Sequence, residues 1–154
     1  MKLDLHVHSD RSDGKYPAAE VLRLAAAAGL DAVAIADHDL GPALPPGPHE
    51  AYGRQVRLIA AAELSGHHDG REYHLLAYFP GKTPEVAEAF LRHRAAARAV
   101  RFDTAMSRLG EPARAPAAAV DGQVSLTRFH MAQALERSGR VRRPHDAWKL
   151  LGHD

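Results

Sequence analysis

The segment Asp4-Leu5-His6-Val7-His8-Ser9 sets two imidazoles two residues apart, and Ser12-Asp13-Gly14 follows directly behind them. On a strand, residues i and i+2 share a face about 6–7 Å apart, so His6 and His8 could reach towards one metal ion from a rigid backbone. Leu3, Leu5 and Val7 alternate with Asp4, His6 and His8, which is the period of a strand. The apolar side is expected to pack under helices and the other side to carry the histidines into a cavity. Asp13 falls in a turn closed by Gly14, near enough in sequence to bring a carboxylate to the same mouth. An isolated His-x-His pair is common on surfaces and in cores, so its company decides. Ala36-Asp37-His38-Asp39 follows the apolar run 31–35, Glu63 follows the run 56–62, and His74 sits inside the run 73–79. Short runs rich in Val, Ile, Leu or Ala, each delivering a His or an acid, fit buried parallel strands that bring ligands to one end of a sheet or barrel.

The elements that must position these residues follow in order. Pro17 to Gly29 reads as an amphipathic helix, with Val21, Leu22, Leu24, Ala25 and Ala28 on one side. Residues 3–38 are thus a strand–helix–strand crossover. Residues 40–53 hold Pro42, Pro45, Pro46 and Pro48, and are expected to be a loop where a β/α repeat would place a helix. Strands near 56–63 and 72–79 are expected to be joined hairpin-fashion by Gly66-His67-His68-Asp69-Gly70. Thr83 as cap and Pro84 in the first turn begin a helix to about Leu109, with Val86, Phe90, Ala97, Met106 and Leu109 on its apolar side. A Pro/Ala loop at 111–120 leads to Ser125, expected to cap a helix ending at Ser138 and Gly139. Pro144 to Leu151 is a last short helix. Residues 1–81 form the half carrying the candidate ligands and 82–154 a helical part, which are the two expected domains.

The chain has 154 residues, enough for one domain with a core. It has no cysteine, so disulfides, thiolate zinc sites and cysteine nucleophiles are excluded. A metal would have to be held by His, Asp and Glu, which suits zinc, iron or manganese. No signal peptide and no membrane-length apolar run are visible, so a cytoplasmic protein is expected. The net charge of +1 is zoned. Residues 1–81 carry 7 Lys/Arg against 11 Asp/Glu, and residues 82–154 carry 13 against 8. The basic half could attract an anionic substrate, though Arg92, Arg94, Arg98 and Arg101 read mainly as the solvated face of a long helix. His49, His67, His68, His93, His145 and His153 read as surface residues.

Together these motifs resemble the PHP (polymerase and histidinol phosphatase) superfamily of metal-dependent phosphoesterases. The first motif is Asp4-Leu5-His6-Val7-His8-Ser9 with Ser12-Asp13-Gly14, the second Ala36-Asp37-His38-Asp39, and the third the Glu63 strand end with the His74 segment. The resemblance implies an α/β fold, a partial distorted (β/α)7 TIM-like barrel with an α-helical insertion. Leu126-Thr127-Arg128-Phe129-His130-Met131-Ala132 and Asp146 to Gly152 look like the insertion of a bacterial branch that dephosphorylates nucleoside 3′,5′-bisphosphates and trims short RNA from the 5′ end. The family's later motifs, a further ligand His and an Asp-x-His, are not in these residues, so the resemblance covers about the first half of a family member.

By that resemblance up to three divalent ions (Mn, Zn or Fe) are expected. His6, His8 and Glu63 would hold one, Glu63 and His74 a second, and Asp13 and His38 part of a third. Arg128 and His130 would meet the substrate phosphate, and Asp37 or Asp39 would orient His38 from behind. The expected activity is hydrolysis of phosphate esters of nucleotides or short RNA 5′ ends by metal-activated hydroxide. Two alternatives stand beside it: a catalytically weak metal-binding remnant that oligomerises through an exposed strand edge, and the PHP domain of a polymerase, against which the insertion-like helices argue.

Overall fold

The computed structural model describes residues 1–151. Leu3–Val7 (β1), Ala18–Ala27 (α1) and Ala32–Ile35 (β2) form the expected parallel crossover, and β2 continues in parallel onto Arg54–His68 (β4). The sheet has five strands in the order β1-β2-β4-β3, with Arg71–Phe79 (β5) also on β4. It is open rather than closed. It curls far enough that the Tyr78 hydroxyl on β5 donates to the Leu5 carbonyl on β1 at 2.9 Å.

The segment 40–53 departs from expectation. It contains a strand, Gly47–Ala51 (β3), antiparallel to β4. Pro48 is tolerated because β3 lies at a sheet edge, where a missing N–H costs no ladder bond. Tyr52 and Gly53 both have positive φ (51° and 67°), the backbone of a two-residue turn whose twist suits a hairpin. Asp69 and Gly70 repeat the device between β4 and β5, with φ of 49° and 71°. The hairpin expected there is present, with a tighter turn.

The apolar side of β1 is covered only in part. Leu3 and Leu5 stay 42% and 37% exposed, while Val7 joins the core between α1 and the sheet. The cause is position: β1 is an edge strand. That core comprises Leu22, Ala25, Ala26, Val33, Ile35, Val56 and Leu58, and each fully buried Leu, Ile or Val contributes about 1.5–3 kcal/mol. On the other face of the sheet Ala34, Ala36 and Ala61 form a small buried floor.

The rest of the chain is helical: Glu85–Arg108 (α2), Ala117–Val120 (α3), Arg128–Arg137 (α4), a 3-10 turn at Pro144–Ala147 and Trp148–Leu151 (α5). Pro84, not Thr83, is the N-cap of α2, and Thr83 makes no side-chain cap. The buried stripe of α2 is Leu91, Ala95, Ala99, Phe102 and Met106, turned away from the expected one, so Val86 and Phe90 are 79% and 51% exposed. Both lie in the first turns, before α2 meets its neighbours. Phe102 and Met106 pack on Leu126, Met131 and Leu135. Thr127 rather than Ser125 caps α4: its Oγ1 accepts from Phe129 N at 3.2 Å.

Candidate metal centre

The site forms at the ends of β1 and β2, where they meet the interior of β4 and the first half of β5. The β2–β4 ladder continues beyond β2, with Glu63 N donating to Asp37 O at 3.2 Å and Asp39 N to Glu63 O at 2.8 Å. These bonds set His38 beside Glu63, and β5 sets His74 opposite Ser65. His6 and His8 arrive from β1, and Asp13 from the turn behind it. The turn is folded by Ser12 N and Gly14 N donating to Ser9 O at 3.1 and 3.0 Å. It needs glycine at its end, because a Cβ on Gly14 would lie 2.2 Å from His8 O.

The six candidate ligands come together in three overlapping groups: His6, His8 and Glu63; His8, Asp13 and His38; His38, Glu63 and His74, each with donor atoms within 4.8 Å of one another. The grouping differs from the expected one in that His8 and His38 each belong to two groups. Glu63 Oε2 lies 2.9 Å from His6 Nε2, 3.0 Å from His8 Nε2 and 3.6 Å from His38 Nδ1, while Oε1 lies 2.7 Å from His74 Nδ1. Asp13 spans His8 Nδ1 at 3.0 Å and His38 Nε2 at 3.3 Å.

Two observations fit this donor set to divalent ions. His38 Nδ1 is buried without a hydrogen-bond partner, and such orphans are rare unless a missing ion or water completes them. The Nε2 atoms of His6 and His8 also face each other at 3.0 Å around one carboxylate oxygen. A tetrahedral ion with ~2.1 Å bonds spaces its ligands by ~3.4 Å, close to these separations. The two oxygens face different imidazoles, Oε2 those of His6, His8 and His38 and Oε1 that of His74, so this carboxylate could serve two adjacent ion positions.

The electrostatics agree. Burial would raise the Asp13 carboxyl, but hydrogen bonds to His38 and His8 outweigh it and hold the group well below the usual carboxylate range. Burial likewise opposes ionisation of Glu63, and the hydrogen bond to His6 with the charges of His38 and His8 lowers it. Burial disfavours charge on His8, yet Asp13, Glu63 and Asp37 raise its pKa above the ordinary value. A negative field that favours a proton on His8 favours a divalent cation in the same place.

Asp37 and Asp39 are buried but hydrogen-bond to other residues than His38. Asp37 accepts from Ser9 N (2.7 Å), Ser9 Oγ (2.6 Å) and Ser12 Oγ (2.7 Å), clamping the turn that carries Asp13. Asp39 accepts from Ser65 N at 3.1 Å and Arg98 Nε at 2.7 Å. Arg98, 7% exposed, also donates to Ser65 Oγ at 2.6 Å and Leu126 O at 3.3 Å. It is therefore a buried strut, not part of a solvated face. Arg94, Arg98 and Arg101 recur at i, i+4 and i+7 on α2, and that spacing beside an apolar stripe was the available signal.

A cleft of about 290 Å³ opens beside Asp13, His38 and His74 and is lined by Arg98, Arg101, Arg128, Phe129 and Trp148. Arg128 thus faces the candidate ligands. His130 is absent from the lining: its Nδ1 accepts from Thr127 N at 3.0 Å and closes the capping box of α4. Burial lowers its pKa, only partly opposed by Asp13. Of the remaining histidines, His67, His68, His93 and His145 are exposed, His49 is half-buried and bonds Pro45 O at 2.8 Å, and His153 lies outside the described residues. Among the described residues no helix is long and apolar enough to cross a membrane.

Comparison with known proteins places this geometry in context. The chain is 30% identical over 151 residues to the 5′-3′ exoribonuclease of Haemophilus influenzae, covering 96% of this chain and 55% of that protein, so it spans about half the length of this curated relative. It is structurally similar to a protein of Bifidobacterium adolescentis assigned as a metal-dependent phosphoesterase, with a TM-score of 0.72 at 23% identity, covering 100% of this chain and 56% of the other. It is also similar to an amidohydrolase of Chromobacterium violaceum solved with sulfate and no metal, with a TM-score of 0.67 at 22% identity, covering 97% and 54%. These two likenesses establish a shared mixed α/β fold. The pattern of the PHP domain matches residues 4–107, a stretch that contains His6, His8, Asp13, His38, Glu63 and His74 in order, and the chain belongs to the PHP domain family.

Proposed function

We propose that the chain carries the metal-binding part of a phosphoesterase acting on phosphate esters of nucleotides or of short RNA 5′ ends. One observation supports this most: three overlapping His/carboxylate groups, two of them sharing Glu63, open onto a cleft lined by arginines. Divalent ions held by His6, His8, Asp13, His38, Glu63 and His74 supply a water of lowered pKa and a clamp for phosphoryl oxygens. The residues of the chain do the rest. Glu63 joins adjacent ion positions, so their spacing follows from one buried side chain. Arg128 offers a planar fork of N–H donors to phosphate oxygens across the cleft. His130 acts one step back, holding the first turn of α4 so that Arg128 keeps its direction. Phe129 and Trp148 on the same walls offer faces on which a base could stack. That the Haemophilus influenzae relative is a 5′-3′ exoribonuclease favours a nucleotide substrate.

The test is phosphate release by the purified chain with Mn²⁺ from adenosine 3′,5′-bisphosphate and from a 5′-phosphorylated oligoribonucleotide. Release that disappears on chelation and in His8→Ala is expected. Turnover no higher than that of His8→Ala would overturn the reading.

A second reading rests on β1. Its free edge and the exposed Leu3 and Leu5 favour a metal-binding module that associates through this strand. Sedimentation of the chain against a Leu3→Lys/Leu5→Lys variant tests it. An assembly that the variant dissolves is expected, and a monomeric wild-type chain would exclude it.

A further inference from the structure

The segment 121–127, which leads into α4 and Arg128, lies outside helix and strand. Gln123 N and Val124 N donate back to Ala118 O at 2.8 and 3.1 Å. Its other backbone bonds run to residues beside the candidate ligands. Ser125 N donates to Arg11 O at 2.8 Å, and Gln123 O accepts from Arg11 Nε at 3.0 Å across 112 residues of chain. Leu126 O accepts from Arg98, which also holds Asp39 beside His38. The loop that sets the start of α4 is thus suspended from the turns that carry Asp13 and His38.

Arg11 makes the most of these connections. Its second guanidinium bond, from the Nη1 atom, goes to Gly41 O at 3.0 Å, three residues after His38. One half-buried side chain therefore ties together the turn of Asp13, the segment behind His38 and the loop of Arg128. The rigid fork of a guanidinium can serve two carbonyls at once, which the point charge of a lysine does not. Packing adds little here. A cavity of about 180 Å³ borders Arg11 between Gly41 and Gln123, and the buried Ser125 Oγ has no hydrogen-bond partner. The loop is held by its hydrogen bonds, and Arg11 supplies or accepts three of them.

We propose that Arg11 is a positioning residue that couples the two walls of the cleft. An ion held at Asp13 steadies the Ser9–Gly14 turn, Arg11 carries that order to the loop 121–127, and Arg128 is held towards the arriving anion. Such coupling is reciprocal, so an anion at Arg128 steadies the Asp13 turn in return. The inference deepens the phosphoesterase reading and rests on it for the role of Arg128. The joint itself is a property of Arg11, Gln123 and Gly41.

The experiment is amide hydrogen exchange of the full chain, read by mass spectrometry with Mn²⁺ and with a chelator. In the wild type Mn²⁺ should slow exchange in residues 4–14, and also by at least about 5-fold in residues 123–131, a stretch that contributes to none of the three ligand groups. In Arg11→Met the slowing at 4–14 should remain while that at 123–131 falls to within about 2-fold. Ser125→Ala removes only the unpartnered hydroxyl and should behave as wild type. Arg11→Met keeps the aliphatic stem and the Ser125–Arg11 backbone bond, so the chain should still fold. If it does not, Arg11→Lys decides, with an intermediate slowing at 123–131 expected. Slowing at 4–14 without slowing at 123–131 in the wild type would overturn the coupling and leave the metal centre standing. So would slowing at 123–131 that survives undiminished in Arg11→Met or, where that variant does not fold, in Arg11→Lys. Absence of any effect of Mn²⁺ on residues 4–14 would bring down the metal centre and the coupling together. The expected pattern in a chain that releases no phosphate would uphold the coupling and bring down the phosphoesterase reading alone.

Discussion

The strand-borne and helix-borne walls of the cleft are built on opposite principles. On the strand side each acid is tied down: Asp37 by three hydrogen bonds, Asp39 by Arg98 and Ser65, and Glu63 and Asp13 by imidazoles. On the helix side Arg98 is tied to Asp39, but among the described residues Arg101 and Arg128 take part in no ion pair. A site that must hold ions at fixed spacing benefits from geometry determined several times over. On the proposed function, a wall that takes up and releases an anion would keep some of its charges free. The difference separates precision from exchange.

Mutations can break or sharpen that contrast, and the expected effects fall in a graded order. Arg98→Met should be worst for folding, because it leaves the buried Asp39 carboxylate only the longer contact to Arg94 at 3.6 Å. A loss of about 3–5 kcal/mol is expected in urea unfolding, and a loss under 1 kcal/mol would show that the strut is dispensable. Glu63→Gln should next cut divalent-metal affinity by more than about 100-fold, read by competition with a chromogenic chelator. Unchanged affinity would remove Glu63 from the centre. Gly14→Ala forces the Ser9–Gly14 turn away from His8 O and should cost about 2 kcal/mol, with metal affinity falling alongside. Thr127→Ala deletes a helix cap and should cost about 1 kcal/mol by thermal unfolding. Arg128→Met should change stability by less than about 0.5 kcal/mol yet weaken phosphate binding. If instead it unfolds the chain, the helix-borne wall is structural after all and the contrast fails.

The same contrast explains what was legible in the sequence. His6, His8, Asp13, His38, Glu63 and His74 stand out because strand period and turn chemistry are local. Each lies on or beside a short apolar run, and the fold brings them together. The parallel crossover and the 66–70 hairpin were legible for the same reason. The Pro-rich 40–53 segment hid a strand, since its turn is Tyr52-Gly53, without the Asn or Asp that usually marks such a hairpin. Arg98 looked like a solvated charge because its partner Asp39 lies 59 residues away. His130 has the residue type for phosphate, but its backbone partner at Thr127 is set by the cap. Spacing alone does not tell a cap from a ligand.

The alanine floor has a consequence of its own. Ala34 and Ala36 stand four and two residues before His38, and Ala61 two before Glu63, so all three share the face that carries those ligands. Their methyl groups are the ground on which the centre rests. Raising that ground by one or two carbons, as in Ala61→Val, would lift the imidazoles and carboxylate outward without altering a single donor. For the proposed metal centre, this floor would act as a depth gauge that sets how far the ligands stand from the sheet.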